Sequence, residues 1–297
     1  MTAPRRVLRG TTSLVTSRTS ERRFFLRPSD QTNAIVGYLL AVLTERYGIF
    51  LHIACFLSNH LHLVLTDPDA RLPDFMRDLG SLLGRAINAS LGHWGSIHDR
   101  ESFSAVALET AEAIVDKIVY SLANPVAAGL VRRGREWPGF WSDPRLIGGK
   151  GLVFKRPEGF FREDGPMPEE ATLRFDPPPG FENDPDFVAT LLRQLESEED
   201  RHARNLGKVG RSFLGVAKIR AQKWYARPAH GEPRRGLRPT VACRNKWKRI
   251  EALQLLKAFR VAYREALDAW RAGNRKVVFP AGTWLMRVLH CAACVPP

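Results

Sequence analysis

The chain has 297 residues, 44% of them apolar, enough for one large domain or two. Its net charge of +14 is unevenly spread: residues 1–150 carry 18 Lys/Arg against 14 Asp/Glu, residues 151–200 carry 5 against 13, and residues 201–297 carry 22 against 4. There is no run of 18 apolar residues and no apolar stretch behind the basic N-terminus, so neither a membrane span nor a secretory leader is expected.

Residues 1–10 read as a disordered segment or an arm. Residues 12–18 have the composition of a first strand. Ser29-Asp30 makes an N-cap for a helix to Tyr47, ended by Gly48, with Leu39, Leu40, Leu43 and Tyr47 as its apolar stripe. Residues 49–57 and 60–66 are two strands joined by a tight Ser58-Asn59 connection. Residues 73–91 carry Phe75, Leu79, Leu82, Leu83 and Ile87 at helical spacing. A strand over 103–108 and a helix over 111–123, stopped by Asn124-Pro125, complete a βαββαβα order. That order predicts an α+β fold of ferredoxin-like type, an antiparallel sheet covered by helices.

Beyond residue 147 the pattern changes. Residues 148–185 are rich in Gly, Pro and acidic side chains, with Pro177-Pro178-Pro179-Gly180 the stiffest part, and read as an interdomain linker. A helix is expected over 184–205 and another over 210–224, the second bearing Arg211, Lys218, Arg220 and Lys223. The two could form a helix-turn-helix-like pair turning at residues 207–210, or the second could simply dock with its charges solvated. A long amphipathic helix over 245–272 and a short strand over 276–280 follow. The expected organisation is thus a domain over 10–147, a linker over 148–185 and a basic, mainly helical DNA-binding domain over 186–297. Four cysteines, Cys55, Cys243, Cys291 and Cys294, fit a reducing cytoplasm, and the Cys291/Cys294 pair lacks the second pair that a zinc site needs.

The chemistry concentrates in Phe56-Leu57-Ser58-Asn59-His60-Leu61-His62-Leu63-Val64. Side chains alternate along a strand, so His60 and His62 share one face while Leu61 and Leu63 point into a core. Two imidazoles side by side on a strand suit a divalent metal, although a lone His-x-His also occurs in strands without that role. The second segment is Ile118-Val119-Tyr120-Ser121-Leu122-Ala123-Asn124-Pro125-Val126-Ala127-Ala128-Gly129-Leu130-Val131. There Ile114, Ile118 and Leu122 set the apolar stripe, and Tyr120 lies off it.

Together these two segments resemble the HUH single-tyrosine transposases of the insertion sequence 200-like superfamily, most closely the REP-associated tyrosine transposases, over about residues 10–147. The resemblance implies the HUH transposase fold and cleavage of single-stranded or hairpin DNA through a 5′-phosphotyrosine, with a free 3′ hydroxyl. By motif position Tyr120 is the implied nucleophile, and His60 and His62 are implied ligands of Mg²⁺ or Mn²⁺. Histidine ligands favour Mn²⁺, while abundance favours Mg²⁺. Asn124, four residues after Tyr120 and on the same helix face, is the candidate third ligand; its other reading is a helix C-cap before Pro125.

Two stretches depart from the family pattern. A Trp-Gln-x-Arg-Tyr-like strand is replaced by His98-Asp99-Arg100-Glu101-Ser102-Phe103-Ser104, and Ala127 stands where an Arg is usual. His93 and His98 read as incidental surface histidines. The competing functions are a non-catalytic nucleic-acid-binding regulator that kept the fold, and an unrelated metal hydrolase drawing on Asp67 or Asp69. A cytoplasmic protein, monomer or homodimer, is expected.

Overall fold

The computed structural model describes residues 4–99, 103–229 and 239–297. Its centre is an antiparallel sheet of β1 (Thr11–Arg18), β2 (Phe50–Leu57), β3 (His60–Asp67) and β4 (Ser104–Leu108), in the order β2-β3-β1-β4. This is the strand order that the βαββαβ pattern demands of a ferredoxin-like sheet. Helix α1 (Asp30–Tyr47) starts where Ser29 Oγ accepts the Thr32 N–H at 3.0 Å and stops at Gly48, whose φ of 63° suits the left-handed cap. Helix α2 (Leu72–Leu91) follows β3 and buries Phe75, Leu79, Leu83 and Ile87. Helix α3 (Ala111–Leu122) is capped by Thr110, and a one-turn helix α4 (Asn124–Ala127) continues from it.

Residues 148–185 carry β5 (Leu152–Lys155) and β6 (Glu170–Leu173), a hairpin that packs on α1. That roof is why α1 is buried beyond its expected stripe: Ile35, Val36, Tyr38 and Val42 are buried as well as Leu39, Leu40, Leu43 and Tyr47. Gly37 makes the contact possible, since a Cβ there would lie 2.1 Å from the Phe154 ring. A Gly/Pro/acidic composition suggested a linker because the apolar residues that hold the segment, among them Phe154, Leu173 and Phe175, are thinly spread through it.

Helix α5 (Phe187–Lys208) lies against α3, and its Phe187, Leu191 and Leu195 join the main core. The helix expected over 210–224 shrinks to α6 (Val216–Arg220). Gly215 at φ 84° delays its start, and Ile219 anchors it in a small cluster with Cys55, Leu57, Val131 and Trp137. Five residues docked this way leave no second full helix for a helix-turn-helix pair. Strand β7 (Val241–Ala242) extends the sheet in parallel beside β4. Helix α7 (Lys246–Arg271) is capped by Asn245, whose side chain accepts the Trp247 and Lys248 N–H groups, and buries only Phe259 and Ala266. The expected strand over 276–280 reduces to one bridge between Phe279 and Cys294 before α8 (Leu285–His290).

The N-terminal arm is docked along residues 4–10. The Arg5 guanidinium lies 3.6 Å from the centre of the Phe103 ring, and Val7 N–H donates to Gly282 O at 3.0 Å. Residues 1–3 of the arm, and Arg100, Glu101 and Ser102 of the stretch that departs from the family pattern, lie outside the described residues. No helix among the described residues is long and apolar enough to cross a membrane.

Candidate functional site

His60 opens β3 directly after the Ser58-Asn59 turn, and strand alternation sets His60 and His62 on the face opposite Leu61 and Leu63. Helix α3 crosses the histidine face. It buries Ile114, Ile118 and Leu122 and leaves Tyr120 48% exposed, as its position off the apolar stripe predicts. The rings meet: His62 is 5.0 Å from His60 at 90° and 5.6 Å from Tyr120 at 83°, centre to centre. Lys117, one turn before Tyr120, places its ammonium 5.3 Å from the phenol ring.

Asn124 closes the group. Its Oδ1 lies 3.3 Å from His60 Nε2. It does not act as a C-cap: Ala123 keeps right-handed helical angles, and Asn124 starts α4, its carbonyl accepting the Ala128 N–H at 2.9 Å. A proline is well placed in the first turn of a new helix, so Asn124-Pro125 redirects the chain rather than ending it. The structure therefore brings all four sequence candidates, His60, His62, Tyr120 and Asn124, to one place.

Each imidazole is oriented from behind. His60 Nδ1 sits 2.7 Å from Asn59 Oδ1; an amide oxygen only accepts, so Nδ1 donates there. His62 Nδ1 sits 3.2 Å from Thr16 Oγ1. His62 is 3% exposed, and its Nε2 is buried with no hydrogen-bond partner among the described residues. Burial, with His60 and Arg18 nearby, holds His62 well below the ordinary imidazole range, so the ring is neutral. A buried, unsatisfied ring nitrogen is unusual and calls for a partner. Two imidazoles and an amide oxygen form a donor set that fits a divalent cation.

The far end of β3 is occupied differently. Asp67 is 1% exposed, and its carboxylate accepts the Arg71 and Leu72 N–H groups at 2.8 and 2.7 Å, capping α2. No group of three or more His, Cys, Asp and Glu that could hold a metal occurs among the described residues. Asp67, on which the hydrolase alternative drew, is thus engaged with the backbone that opens α2.

His93 and His98 differ from the surface role expected of them. His93 packs between Phe25 and Trp224, at 5.0 and 5.1 Å, and the half-buried His98 pairs its backbone with Thr19. Sequence reasoning passed over Thr16 and Asn59, the two orienting groups, and the residues that hold the end of α3. There Trp141 Nε1–H donates to Leu122 O at 3.0 Å, and Gly134 N–H donates to Glu199 Oε1 at 2.7 Å. Burial raises the Glu199 carboxyl above its usual range despite that bond and Arg133.

No family model matches the chain, and neither does any curated protein. Among solved structures, the chain is similar to a REP-associated tyrosine transposase bound to a REP hairpin, with a TM-score of 0.40 and 18% identity, covering 47% of this chain and 81% of that one.

Proposed function

We propose that the protein is a transposase-like, single-strand DNA endonuclease and strand transferase of the HUH single-tyrosine type, acting on hairpin-bearing DNA. The observation that carries this reading is the meeting of an exposed tyrosine with a buried, unsatisfied histidine and its neighbour on one strand. Tyr120 is the nucleophile. Its Oη attacks the scissile phosphorus, the bond from phosphorus to the 3′ oxygen breaks, and a 5′-phosphotyrosine and a free 3′ hydroxyl result. The phenol proton leaves to solvent, and the departing 3′ oxygen takes one up. The phosphodiester bond energy is kept in the tyrosine ester, so a second 3′ hydroxyl can reverse the step and join strands.

His60, His62 and Asn124 are the residues that would hold Mg²⁺ or Mn²⁺. When bound, the cation supplies polarisation of the phosphate and stabilises the charge that develops on it. Asn59 and Thr16 keep the two imidazoles aimed. Lys117 keeps a positive charge beside the tyrosine ring. Half-exposure of Tyr120 lets a strand reach it without opening the core.

The test is a covalent adduct. Purified protein is incubated with single-stranded hairpin oligonucleotides from the DNA flanking its own gene, with Mn²⁺ or Mg²⁺, and an SDS-resistant protein–DNA band is sought. The band should require metal and vanish in Tyr120→Phe, which removes one hydroxyl and should leave DNA binding intact. An adduct that persists in Tyr120→Phe would remove Tyr120 from its role. Binding without any adduct across several flanking hairpins would favour the regulator instead.

A further inference from the structure

One stretch of chain borders the candidate site on two sides. Leu214 and Gly215 donate their N–H groups to Gly129 O and Leu130 O, both at 2.9 Å, just beyond Asn124. The chain then runs through α6, pinned by the fully buried Ile219, to the turn that precedes His60. There Ser58 Oγ donates to Gln222 Oε1 at 3.2 Å, Leu26 N–H donates to Ser58 O at 2.9 Å, and Phe24 N–H donates to Ala226 O at 2.9 Å. Residues 214–227 therefore form a rim reaching from the Asn124 side to the His60 side.

The rim has two characters. Its inward residues are apolar or amide: Ile219 is buried, and Trp224 stacks on Phe25 at 5.5 Å and meets His93 at 5.1 Å. Its outward residues are basic or aromatic. Lys218, Arg220, Lys223 and Arg227 are exposed, and Tyr225 is 58% exposed at a turn that Ala226 N–H closes on Lys223 O at 3.0 Å. No acidic residue occurs between Asp200 and Glu232. On the facing loop, Glu21 is paired with Arg23 at 2.9 Å.

We infer that this rim holds a single strand of nucleic acid, with Tyr225 stacking one base and Lys218, Arg220, Lys223 and Arg227 lying along the phosphates. Cations interleaved with an exposed ring are the combination that single strands require, because the cations bind the backbone of any sequence and the ring takes an unpaired base face. A duplex offers the phosphates but keeps its bases stacked on each other, so an exposed tyrosine gains little from it. The inference rests on the proposed function only for where the strand leads, past His60 toward Tyr120.

The test uses the full chain and fluorescence anisotropy with an oligo(dT) strand and with a blunt duplex of equal length, each over a salt series. Tyr225→Ala should weaken oligo(dT) binding about tenfold and leave the salt slope and the duplex affinity unchanged. Tyr225→Phe should restore most of the loss. Replacing Lys218, Lys223 and Arg227 together by Ala should lower the salt slope by about 2. Wild-type affinity and slope in both Tyr225→Ala and the triple variant would overturn the inference, as would an equal loss on the duplex in Tyr225→Ala. The adduct assay runs beside it. Adducts formed by a Tyr225→Ala protein of unchanged affinity would remove the rim and leave the nuclease. Tyr225-dependent binding without adducts would keep the rim and remove the nuclease.

Discussion

At the scale of single residues, the candidate site depends on groups that stand behind its two histidines. Asn59 is the clearest case. Its carbonyl accepts from Thr19 N–H and Thr19 Oγ at 2.9 and 3.1 Å, and its Nδ2 donates to Arg22 O at 3.4 Å, which leaves Oδ1 turned to His60 Nδ1. The loop that supplies Arg22 O holds two consecutive non-glycine residues in the left-handed region, Glu21 at φ 54° and Arg22 at φ 57°. Such angles cost on the order of 1 kcal/mol or more each and persist where the surroundings impose them. Orienting partners of this kind typically contribute 10- to 100-fold to metal affinity. Asn59→Ala should therefore weaken Mn²⁺ binding by about that factor, as read by calorimetry or by the electron paramagnetic resonance of free Mn²⁺, while Asn59→Asp, which keeps an acceptor, recovers part of it. Unchanged Mn²⁺ affinity in Asn59→Ala would end its orienting role. That His60 and His62 share one face was legible from alternation. Thr16 was not, because its contact with His62 depends on the register of β1 against β3, where Thr16 faces His62.

At the scale of elements, the position of α3 decides whether Tyr120 meets His62. Trp141 bonds the last carbonyl of that helix, Leu122 O, and Gly134 passes beside it while donating to Glu199 on α5. A Cβ at Gly134 would lie 2.8 Å from Leu122 O and 3.0 Å from both Glu199 Oε1 and Trp141 Nε1. Backbone cannot move aside as cheaply as a side-chain tip, so Gly134→Ala must push the end of α3 away. Overpacking of this kind costs about 1–3 kcal/mol. The variant should melt earlier, and at temperatures where it is folded it should form the covalent adduct more slowly than wild type. A Gly134→Ala protein with wild-type melting and adduct rate would show that the clamp is slack. The elements up to α3 were legible because local signals mark their ends: Ser29 and Gly48 around α1, and Asn124-Pro125 after α3. The β5–β6 hairpin and the shortness of α6 were not, because both follow from where α1 and the Cys55–Trp137 cluster offer apolar cover. Neither cover can be seen in the segment's own residues.

At the scale of the whole molecule, the segments that sequence composition separated are stitched together. Phe187, Leu191 and Leu195 enter the main core, and Asp176 N–H donates to Leu51 O at 2.8 Å. The basic excess beyond residue 200 was legible as charge, but its layout as a rim beside the site was not, since that depends on contacts with Gly129, Leu130 and Ser58. One buried polar chain crosses this seam. His52, at a bulge in β2, is 1% exposed; its Nδ1–H donates to Asp176 O at 2.8 Å, and its Nε2 accepts from Thr66 Oγ1 at 2.8 Å. Thr66 in turn meets Thr12 Oγ1 at 2.7 Å. Burial lowers the His52 pKa from 6.5 to about 4, against the smaller opposing effects of the Asp176 carbonyl and Glu182. The folded chain therefore prefers the neutral ring. Between pH 6.5 and pH 4 the unfolded chain takes up a proton that the native chain refuses, so this contribution to stability is complete above pH 6.5 and is lost as the pH falls to about 4. A shift of that size corresponds to about 3 kcal/mol. Burial also lowers the pKa of His62 and His98, so they tilt the curve the same way, and the comparison must be made against a variant. Urea unfolding of wild type and His52→Gln at pH 7 should show the wild type more stable, and the gap should close by roughly 2–3 kcal/mol at a pH near 4. A gap that stays constant across that window would mean that His52 is protonated in the folded chain and that the seam between β2 and the Asp176 segment opens to water.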